Sequence, residues 1–445
     1  MQGKKYKIMS KTKPSSRSPW AWIPSLYFAE GIPYVVVMTV AVIMYKRLGI
    51  SNTDIALYTS WLYLPWVIKP FWSPIVDILK SKRWWIVSMQ LMIGAGLAGV
   101  AFTIPTTLFF QSSLAFFWLL AFSSATHDIA ADGFYMYGID KHKQAYFIGI
   151  RSTFYRLAMI TGQGLLIILA GYLESSRLFG STTKSIPMAW SITFLIMAAG
   201  FLVFCFYHKF ALPYPEEDAN REVKSFEGVF ADFRETFVTF FYKKDIWKIL
   251  GLLLFYRLGE SQLVKMASPF LLDPKDVGGL GLSTSDVGIV YGTIGIIFLT
   301  IGGLLGGYLA SRNGLKHWIW WMVIAINLPN LVYVYLSYVL PDSFLLICTS
   351  VAVEQFGYGF GFTAYMLYQI YVSEGNHKTA HFAFCTGLMA FGMMIPGMIS
   401  GWLQELLGYQ HFFIWVIICT IPSFIMVKLI DIDPKFGIRT SKDEH

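Results

Sequence analysis

Apolar stretches of membrane-spanning length recur along the whole chain and are separated by short polar segments. A helix that crosses the hydrocarbon core of a bilayer needs about 20 mostly apolar residues. Stretches of this kind lie at residues 20–44, 54–73, 84–104, 109–138, 145–173, 187–207, 246–271, 285–310, 317–340, 343–372, 379–406 and 411–428. They predict an all-α membrane protein with twelve transmembrane helices, several of them tilted or extended beyond the bilayer.

The longest polar stretch, residues 208–245, divides these spans six and six. Its first part, Pro213–Asn220, is acidic and prone to turns. Its second part has apolar residues at helical spacing with charges between them, at Phe226, Val229, Phe230, Phe233, Phe237, Phe240 and Phe241. This pattern predicts an amphipathic helix that lies on the inner membrane surface and ties the two halves together. Docking of a partner protein is the alternative.

A short repeat supports a division into two related halves. Residues 48–56 (LGISNTDIA) recur as residues 280–288 (LGLSTSDVG), and both segments open the second helix of their half. In each copy a serine is placed to cap the helix, and the aspartate three residues later lies near the positive end of the helix dipole. Duplicated halves of this kind are a recurring transporter plan.

The predicted organisation follows from these boundaries. It comprises a basic cytoplasmic N-terminus (1–19), a first six-helix half (20–207), a cytoplasmic linker (208–245), a second six-helix half (246–428) and a cytoplasmic tail (429–445). The first apolar span is longer than the core of a signal peptide, so we expect it to remain as a membrane anchor.

Composition narrows the class of protein. Hydrophobic residues make up 55% of the chain and charged residues only 14%, which argues against a soluble domain. The net charge of +8 does not indicate nucleic-acid binding, because the basic residues lie between apolar spans. If both termini are cytoplasmic, most of these basic residues fall in cytoplasmic segments, as is typical of membrane proteins. All four cysteines lie inside apolar spans, so we expect free thiols without disulfides or a metal site.

Ionisable residues inside the predicted spans are the candidate functional residues. Each is costly in lipid and needs a partner or a water-filled cavity. The set is Glu30 in span 1, His127, Asp128 and Asp132 in span 4, Arg151 and Arg156 in span 5, Arg257, Glu260 and Lys265 in span 7, and Glu354 in span 10. We predict that they line a central cavity.

Spacing suggests how some of them pair. Asp128 and Asp132 are four residues apart and share a helix face. The next span runs antiparallel and brings Arg151 and Arg156 to comparable depths, which predicts a carboxylate–arginine group. The Asp132–Arg151 part of this group has a second interpretation as a purely structural clamp.

Span 7 and span 4 each carry residues with two interpretations. Arg257 and Glu260 are three residues apart and can pair on one helix. Lys265 either belongs to the cavity or extends its side chain to the membrane interface. His127 is either a titrating group or a satisfied polar side chain. Carboxylates in apolar surroundings bind protons more readily than in water, which makes the buried ones candidate proton carriers.

Two polar loops resemble the loop motif of the major facilitator superfamily, in which glycine, three residues and aspartate precede basic residues. Residues 73–83 supply Asp77 and Arg83 but lack the leading glycine, and residues 307–316 supply Arg312 with Ser311 in place of the aspartate. The resemblance implies that these charges latch the two halves in one conformation. Positive charge that only sets the topology is the alternative.

Several motifs resemble those of one branch of that superfamily, the AmpG-type muropeptide permeases. Residues 124–134 (SATHDIAADGF) are similar to their Ser-Ala-x-Gln-Asp-Ile-x-x-Asp-x-Trp stretch, with His127 replacing Gln and Phe134 replacing Trp, and acetyl-coenzyme A transporters carry a similar stretch. Further similar segments are residues 71–77 (FWSPIVD), 155–157 (YRL), 256–260 (YRLGE) and 354–361 (EQFGYGFG).

The resemblance implies proton-linked uptake of peptidoglycan fragments from periplasm to cytoplasm by alternating access. The cargo would be N-acetylglucosaminyl-anhydro-N-acetylmuramic acid with or without peptide. On this interpretation the proton-coupling candidates are Asp128, Glu260, Glu30 and Glu354. The substrate-binding candidates are Arg156, Arg257, His127, Gln355, Tyr155 and Tyr365, with cations for carboxylates and aromatic rings for sugars. The gating or structural charges are Asp77, Arg83, Asp132, Arg151 and Arg312.

Two rival functions remain at this point. One is transport of another solute, such as a siderophore, acetyl-coenzyme A or a small peptide, and the other is a membrane sensor without transport. The chain has no Gly-Lys-Ser/Thr phosphate loop, no zinc-type Cys/His spacing and no hydrolase arrangement, so we expect neither an enzyme nor a cofactor. The expected partners are an anionic glycopeptide or sugar, protons and the lipid of an inner membrane, without nucleic acid, and the expected state is a monomer.

Overall fold

The computed structural model describes residues 17–139, 141–176, 182–215, 218, 226–375 and 377–438. Within these ranges every regular element is a helix. The spanning helices are α1 (Pro19–Arg47), α2 (Asn52–Trp61, Leu64–Val67 and Lys69–Leu79), α3 (Lys82–Thr103), α4 (Phe109–Gly138), α5 (Tyr146–Ser175), α6 (Ser185–Ala211), α7 (Ile246–Phe255 and Leu258–Leu272), α8 (Thr284–Asn313), α9 (Leu315–Val339) and α10 (Phe344–Ser373). Helices α11 (378–407) and α12 (409–429) share the run Lys378–Leu429, which is interrupted at Gly408 (φ 71°).

The prediction of an all-α fold with twelve spans is confirmed. Nine runs of the described chain are long and apolar enough to cross a membrane, and the last of them, Lys378–Leu429, contains two helices. The other two spans, α2 and α7, are broken into shorter segments. In α2 the breaks precede Pro65 and Pro70, each the second residue of the segment that follows, because proline has no N–H to donate to the carbonyl four residues earlier. In α7 the break falls at Arg257, whose φ and ψ are −112° and 19°.

The repeated segments begin helices as predicted. The Ser51 hydroxyl accepts a hydrogen bond from the Asp54 N–H (3.0 Å), and the Ser283 hydroxyl accepts one from the Asp286 N–H (3.1 Å). The Asp286 carboxylate also accepts the Ser283 N–H, which completes a capping box. Each half (α1–α6 and α7–α12) therefore starts its second helix in the same way.

The two halves are joined by polar side chains at one face of the bundle, where α1 ends and α2 begins. Lys46 on α1 forms an ion pair with Asp273 at the end of α7 (2.7 Å). Asn52 on α2 donates to Gln404 Oε1 (2.6 Å) and to the Tyr409 hydroxyl (3.1 Å). We call this set the polar seal; it comprises Lys46, Arg47, Asn52, Thr53, Glu174, Asp273, Thr284, Gln404, Glu405 and Tyr409.

Glu174 on α5 is the second anchor of the polar seal. Its carboxylate pairs with Arg47 on α1 (2.9 Å) and accepts a hydrogen bond from Trp190 on α6 (2.8 Å). It also accepts the hydroxyl of Thr284 on α8 in the other half (2.8 Å). One carboxylate thus connects three helices of the first half to the second half.

Beneath the polar seal the backbones of the two halves approach closely at glycines. A Cβ added at Gly401 on α11 would lie 1.9 Å from the Asn52 carbonyl oxygen, and one at Gly292 on α8 would lie 1.8 Å from the Gln163 carbonyl oxygen. Only glycine fits at these two positions while the halves remain in contact.

Replacing Gly401 by alanine is expected to open this face. The overlap costs about 1–3 kcal/mol in the closed form, which raises the ratio of open to closed molecules about 5-fold to 150-fold. The measurement is maleimide labelling of a Ser60→Cys reporter in a chain without native cysteines, since Ser60 is fully buried. The control is Gly200→Ala on α6, where an added Cβ meets nothing within 4 Å. Labelling no faster than in the control would contradict the expectation.

The linker contacts both halves. Asp218 accepts hydrogen bonds from the backbone N–H groups of Lys82 (2.7 Å) and Arg83 (3.1 Å), so it caps α3 in the first half. The predicted linker helix is present as Phe226–Phe241. Its buried Phe240 lies 5.8 Å from the ring of Phe384 on α11, in the second half.

Candidate functional site

Five charged side chains of the first half meet between α1, α2, α4 and α5. One oxygen from each of the three carboxylates Glu30, Asp128 and Asp132 lies within 4.8 Å of the others. Asp128 forms an ion pair with Lys69 on α2. Asp132 forms one with Arg151 on α5, at 2.5 Å between Oδ1 and Nη2. We call these five residues the charge cluster.

Helix geometry explains why the charge cluster forms. Asp128 and Asp132 stand one turn apart on α4, as their spacing predicts. The Arg151 guanidinium lies 4.3 Å above the ring of Tyr27 on α1, and Tyr27 precedes Glu30 by one turn. The same arginine therefore reaches Asp132 on α4 and the face of α1 that carries Glu30.

The charge cluster has one negative charge in excess when every member is ionised, because three carboxylates face two cations. Glu30 is 6% exposed, and its Oε2 atom has no hydrogen-bond partner among the described residues. A buried carboxylate without a counter-charge is unfavourable and binds a cation. The separation of the three carboxylates suits either a proton on one of them or a metal ion between them.

The second charged site lies in the other half, at the break in α7. Arg257 donates from Nε to Glu260 Oε2 (2.8 Å) and from Nη2 to the Tyr358 hydroxyl (2.7 Å). Glu260 is 1% exposed and stands in the first turn of the second segment of α7, where the helix dipole favours negative charge. The broken helix thus places a buried ion pair in the middle of α7. In transporters, the ends of such half-helices commonly face substrates or ions.

Arg156 and Lys265 are cations without a described carboxylate partner. The Arg156 Nη1 atom is buried and has no hydrogen-bond partner among the described residues, and its guanidinium lies beside Gly303 of α8 in the other half. Lys265 is only 2% exposed and donates to the Thr59 hydroxyl of α2 (2.9 Å). The interpretation that Lys265 extends to the membrane interface is wrong, because the side chain lies between the halves.

Glu354 and Gln355 lie on α10. Glu354 is 2% exposed and accepts a hydrogen bond from the Gln355 amide (3.0 Å). A Cβ added at Gly295 would lie 3.3 Å from Gln355, so this amide packs against α8. Tyr155 lies on α5 beside α1, because its carbonyl oxygen would be 3.1 Å from a Cβ at Gly31, the residue after Glu30.

His127 and Tyr365 lie in the packed interiors of their halves. His127 is fully buried, and its Nε2 atom is 3.0 Å from Gln90 Nε2 on α3, whose amide oxygen meets His208 on α6. Tyr365 stacks on Tyr256 with a centroid distance of 5.2 Å and donates its hydroxyl to a backbone carbonyl of α7. The structure therefore brings neither side chain to the charge cluster.

Comparison with known proteins identifies the family. The model of the Major Facilitator Superfamily matches residues 25–375, more than half of the chain. The chain belongs to the major facilitator superfamily. It is a multi-pass membrane transporter of small molecules and not an enzyme.

Curated relatives in the major facilitator superfamily cover most of the chain. The anhydromuropeptide permease of Escherichia coli (strain K12) is 25% identical over 416 residues, 90% of this chain and 77% of its own length. A transporter named AmpG 4 of Rickettsia conorii is 26% identical over 422 residues, 91% of this chain and 94% of its own length. The resemblance to AmpG-type permeases is confirmed.

Solved structures show the same fold at low sequence identity. The crystal structure of the nucleoside transporter NupG has a TM-score of 0.67 at 17% identity and covers 92% of this chain and 98% of its own. A D-xylose-proton symporter has a TM-score of 0.66 at 10% identity, with coverage of 92% and 96%.

The three loop charges that resemble the superfamily motif, Asp77, Arg83 and Arg312, differ from one another in their surroundings. The side chain of Asp77 lies outside the described residues, and Arg312 is exposed at the end of α8. The Arg83 guanidinium lies 3.9 Å above the ring of Tyr214 and donates to the Lys209 carbonyl, so its described contacts are with α6 and the linker.

Two site residues, Lys69 and Thr59, were not among the candidates predicted from the sequence. Lys69 completes the charge cluster, and its signal was a lysine between apolar residues of span 2, directly before Pro70. The partner of Lys265, Thr59, lies 206 positions away in sequence, so no local pattern connects them.

Proposed function

We propose that this protein carries anhydromuropeptides from the periplasm to the cytoplasm across an inner membrane, coupled to protons. Two findings support the cargo. The Escherichia coli relative is named an anhydromuropeptide permease, and its similarity extends over 90% of this chain. The D-xylose-proton symporter with the same fold illustrates that this architecture serves sugar–proton symport.

The observation that carries the proton coupling is the excess negative charge of the charge cluster. One proton neutralises it, and Glu30 has a buried oxygen, Oε2, without a hydrogen-bond partner among the described residues. Asp128 and Glu260 each pair with a cation, whereas Glu354 has an amide as its described partner. We therefore rank Glu30 first and Glu354 second among the proton carriers.

Alternating access supplies the transport cycle. With both termini cytoplasmic, as the basic loops indicate, the polar seal closes the periplasmic side. Rocking of the two halves about the mid-span charges would break the seal and admit a solute from the periplasm. A proton on Glu30 and a bound solute would then allow the halves to return to the form in which the polar seal is closed.

Substrate binding uses cations between the halves. Arg156 is the better anion receptor of the two proposed arginines, because the Arg257 guanidinium is already held by Glu260 and Tyr358. Tyr155 beside Glu30 is placed to contact a sugar ring close to the proton site.

The test is uptake of radiolabelled N-acetylglucosaminyl-anhydro-N-acetylmuramic acid into proteoliposomes. An acidic exterior is expected to drive accumulation by the wild type, and a protonophore to abolish it. Asp128→Asn leaves Lys69 without its partner, and Glu354→Gln removes a buried carboxylate, so both are expected to weaken the dependence on the gradient.

Two outcomes would contradict parts of this proposal. Uptake that changes neither with the pH gradient nor with the two substitutions would contradict the proton coupling. Binding and uptake of acetyl-coenzyme A, a siderophore or a small peptide without anhydromuropeptide transport would replace the cargo.

A further inference from the structure

Lys265 on α7 is a buried cation at the interface of the two halves. Its Nζ atom donates to the Thr59 hydroxyl (2.9 Å) and lies 5.3 Å from the centre of the Tyr63 ring, both on α2. Within the described residues it forms no ion pair. Lys69, Arg151 and Arg257 differ, since each meets a carboxylate. Arg156 shares the lack of a described carboxylate partner but is only partly buried.

The hydrogen-bonding capacity of Lys265 is largely unused. An ammonium group has three N–H donors, and one hydrogen bond to a neutral hydroxyl is described. A buried charge that lacks a counter-charge is expensive unless an anion accompanies it for part of the working cycle. The side chain therefore suits an anionic ligand.

A second polar group without a partner lies beside Lys265. Ser60, next to Thr59 on α2, is fully buried, and its Oγ atom has no hydrogen-bond partner among the described residues. A Cβ added at Gly397 of α11 would lie 2.8 Å from Ser60 Oγ and 3.6 Å from Lys265 Cε, so both side chains pack against the same glycine and are neighbours. An ammonium and a free hydroxyl together match the two oxygens of a carboxylate.

The position connects this subsite to the polar seal. Thr59 and Ser60 follow Asn52 on α2 by about two turns, which places them roughly 10 Å below the seal. The Lys265–Thr59 hydrogen bond joins the two halves, so separation of the halves at the seal would break it. The freed ammonium would then meet a solute entering from that side.

We propose that Lys265, assisted by Ser60, binds a carboxylate of the transported solute and makes the transporter prefer acids to their neutral analogues. The identity of the solute rests on the proposed function. The anion subsite itself rests only on the contacts of Lys265 and Ser60.

The test compares the affinities of two ligands for the wild type and for variants at Lys265, measured by titration calorimetry on the purified full chain. The ligands are N-acetylglucosaminyl-anhydro-N-acetylmuramic acid, with its free lactyl carboxylate, and the methylamide of that carboxylate. The wild type is expected to bind the acid about 10-fold to 100-fold more tightly than the amide. Lys265→Gln is expected to bind both equally, and Lys265→Arg to retain the preference.

The matched control is Lys275→Gln in the loop after α7. Lys275 is paired with Asp342 and 39% exposed, so its removal should leave the preference for the acid unchanged. Equal affinity of the wild type for acid and amide would overturn the proposal without any variant, so it remains testable even if Lys265→Gln does not fold. An undiminished preference in folded Lys265→Gln would overturn it as well.

A second experiment distinguishes failure of the carboxylate subsite from failure of the proposed cargo. N-acetylmuramic acid, its amide and sodium chloride are tested on the same proteins by thermal unfolding. The free acid alone could stabilise the wild type but not Lys265→Gln, while neither anhydromuropeptide binds. That result would support the carboxylate subsite and reject anhydromuropeptide as the cargo. Stabilisation by chloride alone, or by no anion, would reject the subsite.

Discussion

Replacing Glu30 by glutamine is expected to abolish concentrative uptake while leaving exchange of solute across the membrane intact. The substitution removes the one excess negative charge of the charge cluster and preserves the size of a side chain that is 6% exposed. Without that charge the cluster has no need of a proton, so the pH gradient can no longer be coupled to the solute. The internal solute should rise only to the external concentration.

The measurement compares gradient-driven uptake with counterflow in proteoliposomes. Glu235→Gln in the linker helix is the control, because this carboxylate is 67% exposed and lies outside the spanning helices. If Glu30→Gln still concentrates the solute as the wild type does, Glu30 is not the coupling residue. If counterflow also disappears, the substitution has damaged binding or folding and the loss of accumulation gives no support to coupling.

Removing one partner of the Arg257–Glu260 pair is expected to have the largest effect on stability. Glu260→Ala would leave a buried guanidinium whose side chain is 10% exposed, and loss of one member of a buried ion pair costs about 3–5 kcal/mol. We expect a much lower unfolding temperature in detergent and no uptake. Arg257→Met combined with Glu260→Met should restore most of the stability, because no charge remains unpaired.

The double variant also separates structure from function. If the pair only holds the break of α7 together, transport should return along with stability. If Arg257 or Glu260 contacts the solute or the proton, the double variant should fold and remain inactive. A Glu260→Ala protein as stable as the wild type would contradict the buried ion pair itself.

Local features of the chain were predictable from the sequence. The spans followed from apolar length, and the starts of α2 and α8 followed from Ser51 and Ser283, whose hydroxyls cap their own helices. The Arg257–Glu260 pair followed from a spacing of three residues on one helix. Each of these depends on residues that are close together in the sequence.

The contacts between the two halves could not be predicted from the sequence. Asn52 and Gln404 are 352 positions apart, and nothing in either segment identifies the other. The direction of a polar side chain on a buried helix was equally hidden. His127 adjoins Asp128 in the sequence but its ring meets Gln90 inside the helix bundle, while Asp128 meets Lys69.

The chemical character of the polar seal decides how easily the molecule changes shape. Each of its hydrogen bonds is worth about 0.5–1.5 kcal/mol net, because water offers equivalent bonds once the groups separate. The Lys46–Asp273 ion pair is largely buried, with side chains 16% and 14% exposed, and both charges regain water when the halves separate. Opening of the seal therefore costs far less than the sum of the bonds that it breaks. For the proton-coupled carrier that we propose, a low cost of opening lets the proton and solute gradients set the direction of net flux.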